Sequence, residues 1–299
     1  MAYSTVNQQL HELSDSVCTT LKQLGDHIRT KKISVVWIYD NIQRNYVPWD
    51  QSVTHKSEMR TGTAATVLVM DGVPEGTLDL TKLTGRLHLR SRLSFADLEG
   101  EINDEHSQHI QDIGVATLLT IWAKYIPHLE HFKPQVQQLF TEKYKKHRLQ
   151  LHKSQFYPLK TSDIDESKPS GAKDVLDDIA SQLGLKPEDF EDLIIPVAGD
   201  QLTVNSIRKL KTYTSTDCTT YSRYTWALPW IQLWHMKWAM LRSIFHAHWS
   251  TIDGKEVFGL HTDCQTLNRK HINPAKCDFY SHTSFVFDTF EALCLGALR

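Results

Sequence analysis

The sequence predicts an α/β (α+β) protein: a mixed sheet flanked by helices and interrupted by a helical insertion. Three observations carry that expectation. Two apolar runs, Ile33–Tyr39 (ISVVWIY) and Leu193–Val197 (LIIPV), lie far apart in the chain, and each leads to an acid, Asp40 and Asp200. A run that is apolar almost throughout is the mark of a strand covered on both faces. Between the two runs, residues 80–148 change to helical spacing.

Composition bounds the rest. At 299 residues and 40% hydrophobic, the chain can bury a core of one large domain or two small ones. The formal charge of -2 gives no global basic footprint, so contact with nucleic acid has to be local. Five cysteines with no CxxC pair argue for reduced thiols in an intracellular protein, cytoplasmic or nuclear. No run approaches a membrane span, and the amino terminus lacks the apolar stretch of a secretory signal.

In order, residues 1–30 read as an amphipathic helix, with Leu10, Leu13, Val17, Leu21 and Leu24 near the helical period and Gly25 interrupting it near its end. Residues 31–79 form the first part of the core. The strand ISVVWIY ends on Asp40, a polar loop follows, Thr61-Gly62-Thr63 turns the chain, and Ala64–Met70 is a second strand ending at the Asp71-Gly72 turn. Residues 80–150 are the helical insertion, with a helix start at Ser94–Asp97, helices over Asp112–Tyr125 and from Pro134, and a basic end at Lys143, Lys145, Lys146, His147 and Arg148. That end reads first as a solvated helix terminus complementing its dipole, and second as a phosphate contact.

Residues 151–190 hold an acidic, turn-rich loop with Asp163, Asp165 and Glu166, which is either solvated or folded back over a site, and then a helix over Ala172–Leu183. Residues 191–299 are the second part of the core. After Gly199 and Asp200, Thr203 looks like an N-cap, and Val204, Ile207 and Leu210 give the helix its apolar face. A strand near Tyr224–Leu228 precedes a largely buried helix, Trp230–Trp249, that contains His235, and Phe285–Leu298 closes the chain as a short helix. A histidine in such a helix is first a hydrogen-bonded core residue.

An acid at the carboxyl end of a buried strand, followed at once by a helix, is where α/β sheets place ligands and metals. The plainer alternative is that each acid only satisfies backbone amides. Two such acids suit a hard divalent cation, magnesium or manganese, with Asp40 and Asp200 as the metal ligands. Two ions about 4 Å apart can drive phosphodiester chemistry, for which a third acid completes the site. Glu291, Asp288 and Asp278 are the candidates late in the chain, and spacing does not choose among them. His261, Cys264, His271, Cys277 and His282 are zinc-type ligands, but their intervals match no recognised finger.

Four segments, VVWIYDN (Val35–Asn41), IDESKPSG (Ile164–Gly171), VAGDQLTVNSIRKLK (Val197–Lys211) and WIQLWHMKWAM (Trp230–Met240), resemble a large fungal family with a GDQLT signature and a downstream phenylalanine–histidine helix. The resemblance covers the chain from about Ile33 onward. That family in turn is similar to a diverged RNase H-like (DDE-type) transposase core, in which two strands each end in a catalytic aspartate and an all-helical insertion often precedes a final glutamate. The resemblance implies Asp40 and Asp200 as the first two catalytic acids, with Glu291 carried forward as the third. It matches His235 to the family histidine, with Trp234 where phenylalanine is usual. Family members run past the position of Arg299, which points to an incomplete or degenerate copy. The implied function is a transposase-derived, divalent-metal-dependent nuclease or DNA strand-transfer protein. The alternative is a non-catalytic nucleic-acid- or protein-binding remnant of the same fold. Either way, the two acid-bearing strands have to be neighbours.

Overall fold

The computed structural model describes residues 3–50, 56–74, 76–82, 103–144, 151–250 and 259–297. The expected helix start at Ser94–Asp97 and the basic residues 145–148 lie outside them. The chain divides into two compact units, Met1–Arg90 with Lys153–His235, and Ser91–His152 with Met236–Arg299. The stretch 191–299, expected to be one half of the core, contributes to both.

The first unit is α/β, as its sequence predicts. Its five strands are β1 (Ser34–Tyr46), β2 (Glu58–Met70), β3 (Phe156–Pro158), β4 (Ile195–Gly199) and β5 (Ala227–Ile231), in the order β3-β2-β1-β4-β5. β1 and β2 are antiparallel, as are β2 and β3, while β1–β4 and β4–β5 are parallel, so the sheet is mixed. Its helices are α1 (Tyr3–Arg29), α2 (Pro169–Gln182) and α3 (Gln201–Tyr213). Alternation sends Val35, Trp37 and Tyr39 of β1 into one cluster with Val67, Ile195 and Val197. Leu24 and Ile28 of α1, Leu176 and Ile179 of α2, and Ile207 of α3 cover that cluster. Trp37 is 0% exposed and meets Trp226 and Phe190 edge-on, with ring centroids at 5.3 and 6.4 Å.

Several local expectations give way to tertiary context. Gly25 does not interrupt α1, which runs on to Arg29. A Cβ on Gly25 would sit 1.9 Å from the Leu183 carbonyl oxygen, so the glycine is the point of close approach to the end of α2. Thr61-Gly62-Thr63 is not a turn but part of β2, whose register runs unbroken from Glu58 opposite Tyr46 to Met70 opposite Ser34. β5 begins at Ala227, three residues later than Tyr224, because Tyr224 is held at φ 52° with its hydroxyl donating to Asp177 at 2.9 Å. Left-handed backbone cannot enter a ladder.

Among its described residues the second unit holds helices joined by turns, and no strand. α4 (Asp104–Tyr125) starts at a capping box on Asn103, and α5 (Lys133–Leu139) follows a short 3-10 turn. α6 (Leu233–His248) begins in the first unit and continues into the second, which also holds α7 (Leu260–Thr266) and α8 (Phe279–Gly296). α8 is longer than the expected Phe285–Leu298 because Asp278 caps it, accepting from the Ser281 amide at 2.8 Å. α6, expected to be largely buried, buries only Leu241 and Phe245, while Leu233 is 67% and Met240 58% exposed. Apolar residues all round a helix bury only where neighbours cover them. Here Phe285 and Leu260 pack against one stripe.

Gly25→Ala tests the docking of α1. Overpacking against a backbone carbonyl is expected to lower unfolding stability by about 1–3 kcal/mol, read as a shift of the urea midpoint. An unchanged midpoint means that α1 does not seat at Leu183.

Candidate functional site

The site starts from two rungs of parallel ladder, Trp37 opposite Val197 and Ile38 opposite Ala198. Two residues beyond the second rung stand Asp40 on one strand and Asp200 on the other. The strands that carry the two predicted acids are therefore neighbours, and alternation from Ile38 and Ala198 brings both acids out on the same face. The surroundings differ from the sequence expectation in one respect. β1 does not end at Asp40 but continues to Tyr46, paired only with β2. The point at which the acid emerges is set by the end of β4.

β4 ends where Gly199 hands over to α3. Asp200, not Thr203, is the N-cap, with its Oδ1 accepting from the Thr203 amide at 2.7 Å. A Cβ on Gly199 would lie 2.4 Å from the Thr203 side chain, so glycine leaves the room that Thr203 occupies. Thr203, 1% exposed, turns its hydroxyl onto Glu166 Oε2 at 3.1 Å. In this way the GDQLT segment caps a helix and fixes a third carboxylate.

Glu166 comes from the acidic loop, which is latched onto the sheet. Thr63 and Ser162 exchange backbone hydrogen bonds of 2.8 and 3.1 Å, and the Thr63 hydroxyl donates to the Ile164 carbonyl at 2.7 Å. Two glycines permit this approach. A Cβ on Gly62 would be 2.6 Å from the Ser162 carbonyl oxygen, and one on Gly171 would be 1.8 Å from that of Asp165. Glu166 is only 2% exposed. Burial pushes its carboxyl up to about 7, and the nearby charges of Asp40 and Asp200 push the same way against the Thr203 hydroxyl and the Asn41 amide. Three carboxylates thus share one neighbourhood.

Two oxygen atoms beside them lack partners. Tyr39 is 1% exposed, and among the described residues neither its hydroxyl nor the Asn41 Oδ1 has a hydrogen-bond partner. Burial raises the Tyr39 phenol, as do the charges of Glu166 and Asp200. Asp40 itself is open to solvent, its Oδ1 accepting from the Asn41 amide at 2.8 Å and its Oδ2 lying 3.8 Å from His235 Nε2. His235, read first as a core residue, is instead half-buried beside an acid. Neither helical spacing nor the apolar neighbours of His235 announced that meeting.

Glu291 belongs to the second unit. There it accepts from Lys124 at 3.0 Å and from the Tyr125 hydroxyl, contacts that hold its carboxyl below the usual range. Asp288 pairs with Arg269 at 2.6 Å, and Asp278 caps α8. Of the zinc-type residues, Cys264 donates to the Arg269 carbonyl and His282 lies 3.0 Å from that of Asn273. Among the described residues no three His, Cys, Asp or Glu side chains converge as a ready metal cage, the three acids beside Tyr39 included.

The donor chemistry nonetheless fits a hard cation: carboxylates, a phenol and an amide oxygen, with no thiol. Asp40 is exposed, its Oδ1 accepting from the Asn41 amide and its Oδ2 facing His235. Cavities of about 500 and 600 Å³ lie elsewhere, one beside Ile33 and Asp71, the other beside Phe140, Phe290 and Glu291; Asp40, Glu166 and Asp200 line neither.

Comparison with known proteins places residues 88–299 in a family of unknown function, DUF6589. The chain belongs to that family. The matched region includes Glu166, Asp200, His235 and Glu291 and begins after Asp40. No curated protein matches the chain, and no solved structure matches it. No helix among the described residues is long and apolar enough to cross a membrane.

The Glu166 carboxyl gives a pH test. Its folded-state pKa is raised from 4.5 to about 7, so its contribution to stability is full below the ordinary value and is lost as pH rises through about 7. Glu166→Gln keeps the shape and removes the titration. Between about pH 5 and about pH 8 the wild type is expected to lose about 1–3 kcal/mol of unfolding stability relative to this variant. Parallel pH profiles would mean that Glu166 is not buried beside two charges.

Proposed function

We propose that this member of the DUF6589 family is a transposase-derived, RNase H-like domain that cleaves or transfers DNA phosphodiesters with a divalent cation, magnesium or manganese. In this reading Asp40 and Asp200 are metal ligands, and Glu166 fills the place that the resemblance gives to a late glutamate. The observation that carries it is the parallel pairing of Trp37 with Val197 and Ile38 with Ala198, which sets Asp40 beside Asp200 above a buried Glu166. A cation bound there would supply charge for the phosphoryl oxygens and an activated water. The chain's own part is to hold the oxygens. Asp200 fixes the start of α3 through Oδ1, and Thr203 orients Glu166. His235 stands where it can hold or release a proton beside Asp40.

A second reading has its own support. Asp200 already serves as a helix cap, and no three-ligand cage stands preformed among the described residues, which favours a non-catalytic binding remnant of the same fold. One set of variants separates the two. Asp200→Asn keeps a good N-cap, and Asp40→Asn changes a solvent-exposed side chain, so both variants are expected to fold. With magnesium or manganese and a duplex DNA substrate, the catalytic reading expects cleavage by the wild type and a loss of about 100-fold or more in either variant. It also expects the metal alone to raise the melting temperature of the wild type but not of Asp200→Asn. Equal cleavage by wild type and variants, or none by the wild type, sinks it in favour of the remnant.

A further inference from the structure

Beyond Asp40 the hairpin of β1 and β2 leaves the body of the sheet. From Asn41 to Tyr46, β1 pairs only with β2, and from Ile42 onward its residues are exposed, as are Glu58–Thr61 opposite. Alternation puts Ile42, Arg44 and Tyr46 on the face that carries Asp40, and the register sets Arg60 directly opposite Arg44. Like charges directly opposed across a ladder destabilise it. Arg60 is partly engaged, 2.9 Å from Glu58 and 4.7 Å from the centre of the Tyr46 ring. Arg44 has no acceptor among the described residues. Residues 41–46 and 56–64 hold three cations, Arg44, Lys56 and Arg60, against one anion, Glu58, in a chain whose net charge is -2.

We infer that this ribbon is a DNA-duplex contact, with Arg44 and Arg60 bound to backbone phosphates on the Asp40 side of the sheet. The inference rests on the polynucleotide reading above and adds the surface that receives the duplex. An anion between the two guanidinium groups converts an unfavourable pair into a clamp. Arg44 lies four steps of strand beyond Asp40, about 13 Å, or about four base pairs along B-form DNA. A two-stranded ribbon is also narrow enough for the major groove, about 12 Å wide.

The test is duplex binding by the full chain without divalent cation, followed by fluorescence anisotropy across a potassium chloride series. The wild type is expected to bind with a salt-dependent affinity. Replacing both Arg44 and Arg60 by alanine is expected to reduce the slope of log K against log salt by about 2, at about 0.9 per phosphate contact, and to weaken binding about tenfold or more at low salt. The double lysine variant keeps the charge and is expected to keep the slope. Both side chains are exposed, so an unchanged melting temperature serves as the folding control. An alanine variant with the wild-type slope, a wild type that does not bind duplex, or a preference for single strands overturns the inference. Metal-dependent cleavage that persists with an unchanged slope removes the ribbon contact and leaves the nuclease reading standing. A ribbon-dependent slope without cleavage does the reverse.

Discussion

Two rungs of parallel ladder, Trp37 on Val197 and Ile38 on Ala198, hold together the halves of a sheet that the chain lays down far apart. Hydrogen bonds this few do not fix a register by themselves. The packing does, because Trp37 and Val197 are both fully buried and Trp226 and Phe190 close around the indole. The side-chain period of a strand is two, so a slip of one residue would turn Val35, Trp37 and Tyr39 out of the core and Asp40 into it. The hydrophobic pattern of β1 therefore decides on which face its acid stands. The same holds for β4, where five buried residues, Ile195–Gly199, lead directly to Asp200.

Gathering carboxylates above that ladder carries an electrostatic cost, and each acid meets it differently. Asp200 sits at the amino terminus of α3, its Oδ1 accepting from the Thr203 amide. Asp40 stays in water beside His235. Glu166, buried and close to both, meets the cost by holding its proton to higher pH. These arrangements depend on glycines at three contacts, Gly62, Gly171 and Gly199, each replacing a side chain that would strike a neighbouring group. They also leave the Tyr39 hydroxyl and the Asn41 amide oxygen without partners among the described residues. Buried polar atoms left unpaired usually cost about 1–3 kcal/mol each, and such sites concentrate where a protein meets a ligand.

The two aspartates were legible because each follows an apolar run that only a buried strand explains. Glu166 was not, since a polar loop has no period to read. Its position follows from the Thr63–Ser162 pairing, which joins distant segments, and from close approaches visible only in three dimensions. The glycine pattern of GDQLT and of KPSG was the available signal. The extent of β1 past Asp40 was hidden for the opposite reason. Asn41–Tyr46 is polar and exposed, and it is a strand because β2 pairs with it, not because its side chains demand it. The exposed face of α6 escaped the sequence in the same way, since apolarity does not say which stripe finds a neighbour.

The capping role of Asp200 bears directly on the metal reading, because a helix amino terminus carries roughly half a positive charge. Alone, that field opposes a cation at the neighbouring carboxylate. The cap uses only Oδ1, however, which leaves Oδ2 with its lone pairs. Asp40 adds a second negative charge on the adjacent strand, and Glu166 holds in reserve a third that a cation would draw out by displacing its proton. Burial and the two neighbouring carboxylates raise the Glu166 carboxyl to about 7, so near neutral pH it carries only part of its charge. The helix terminus thus sets a threshold. A lone Asp200 would only cap a helix, and what could make it a ligand is the company of Asp40 and Glu166.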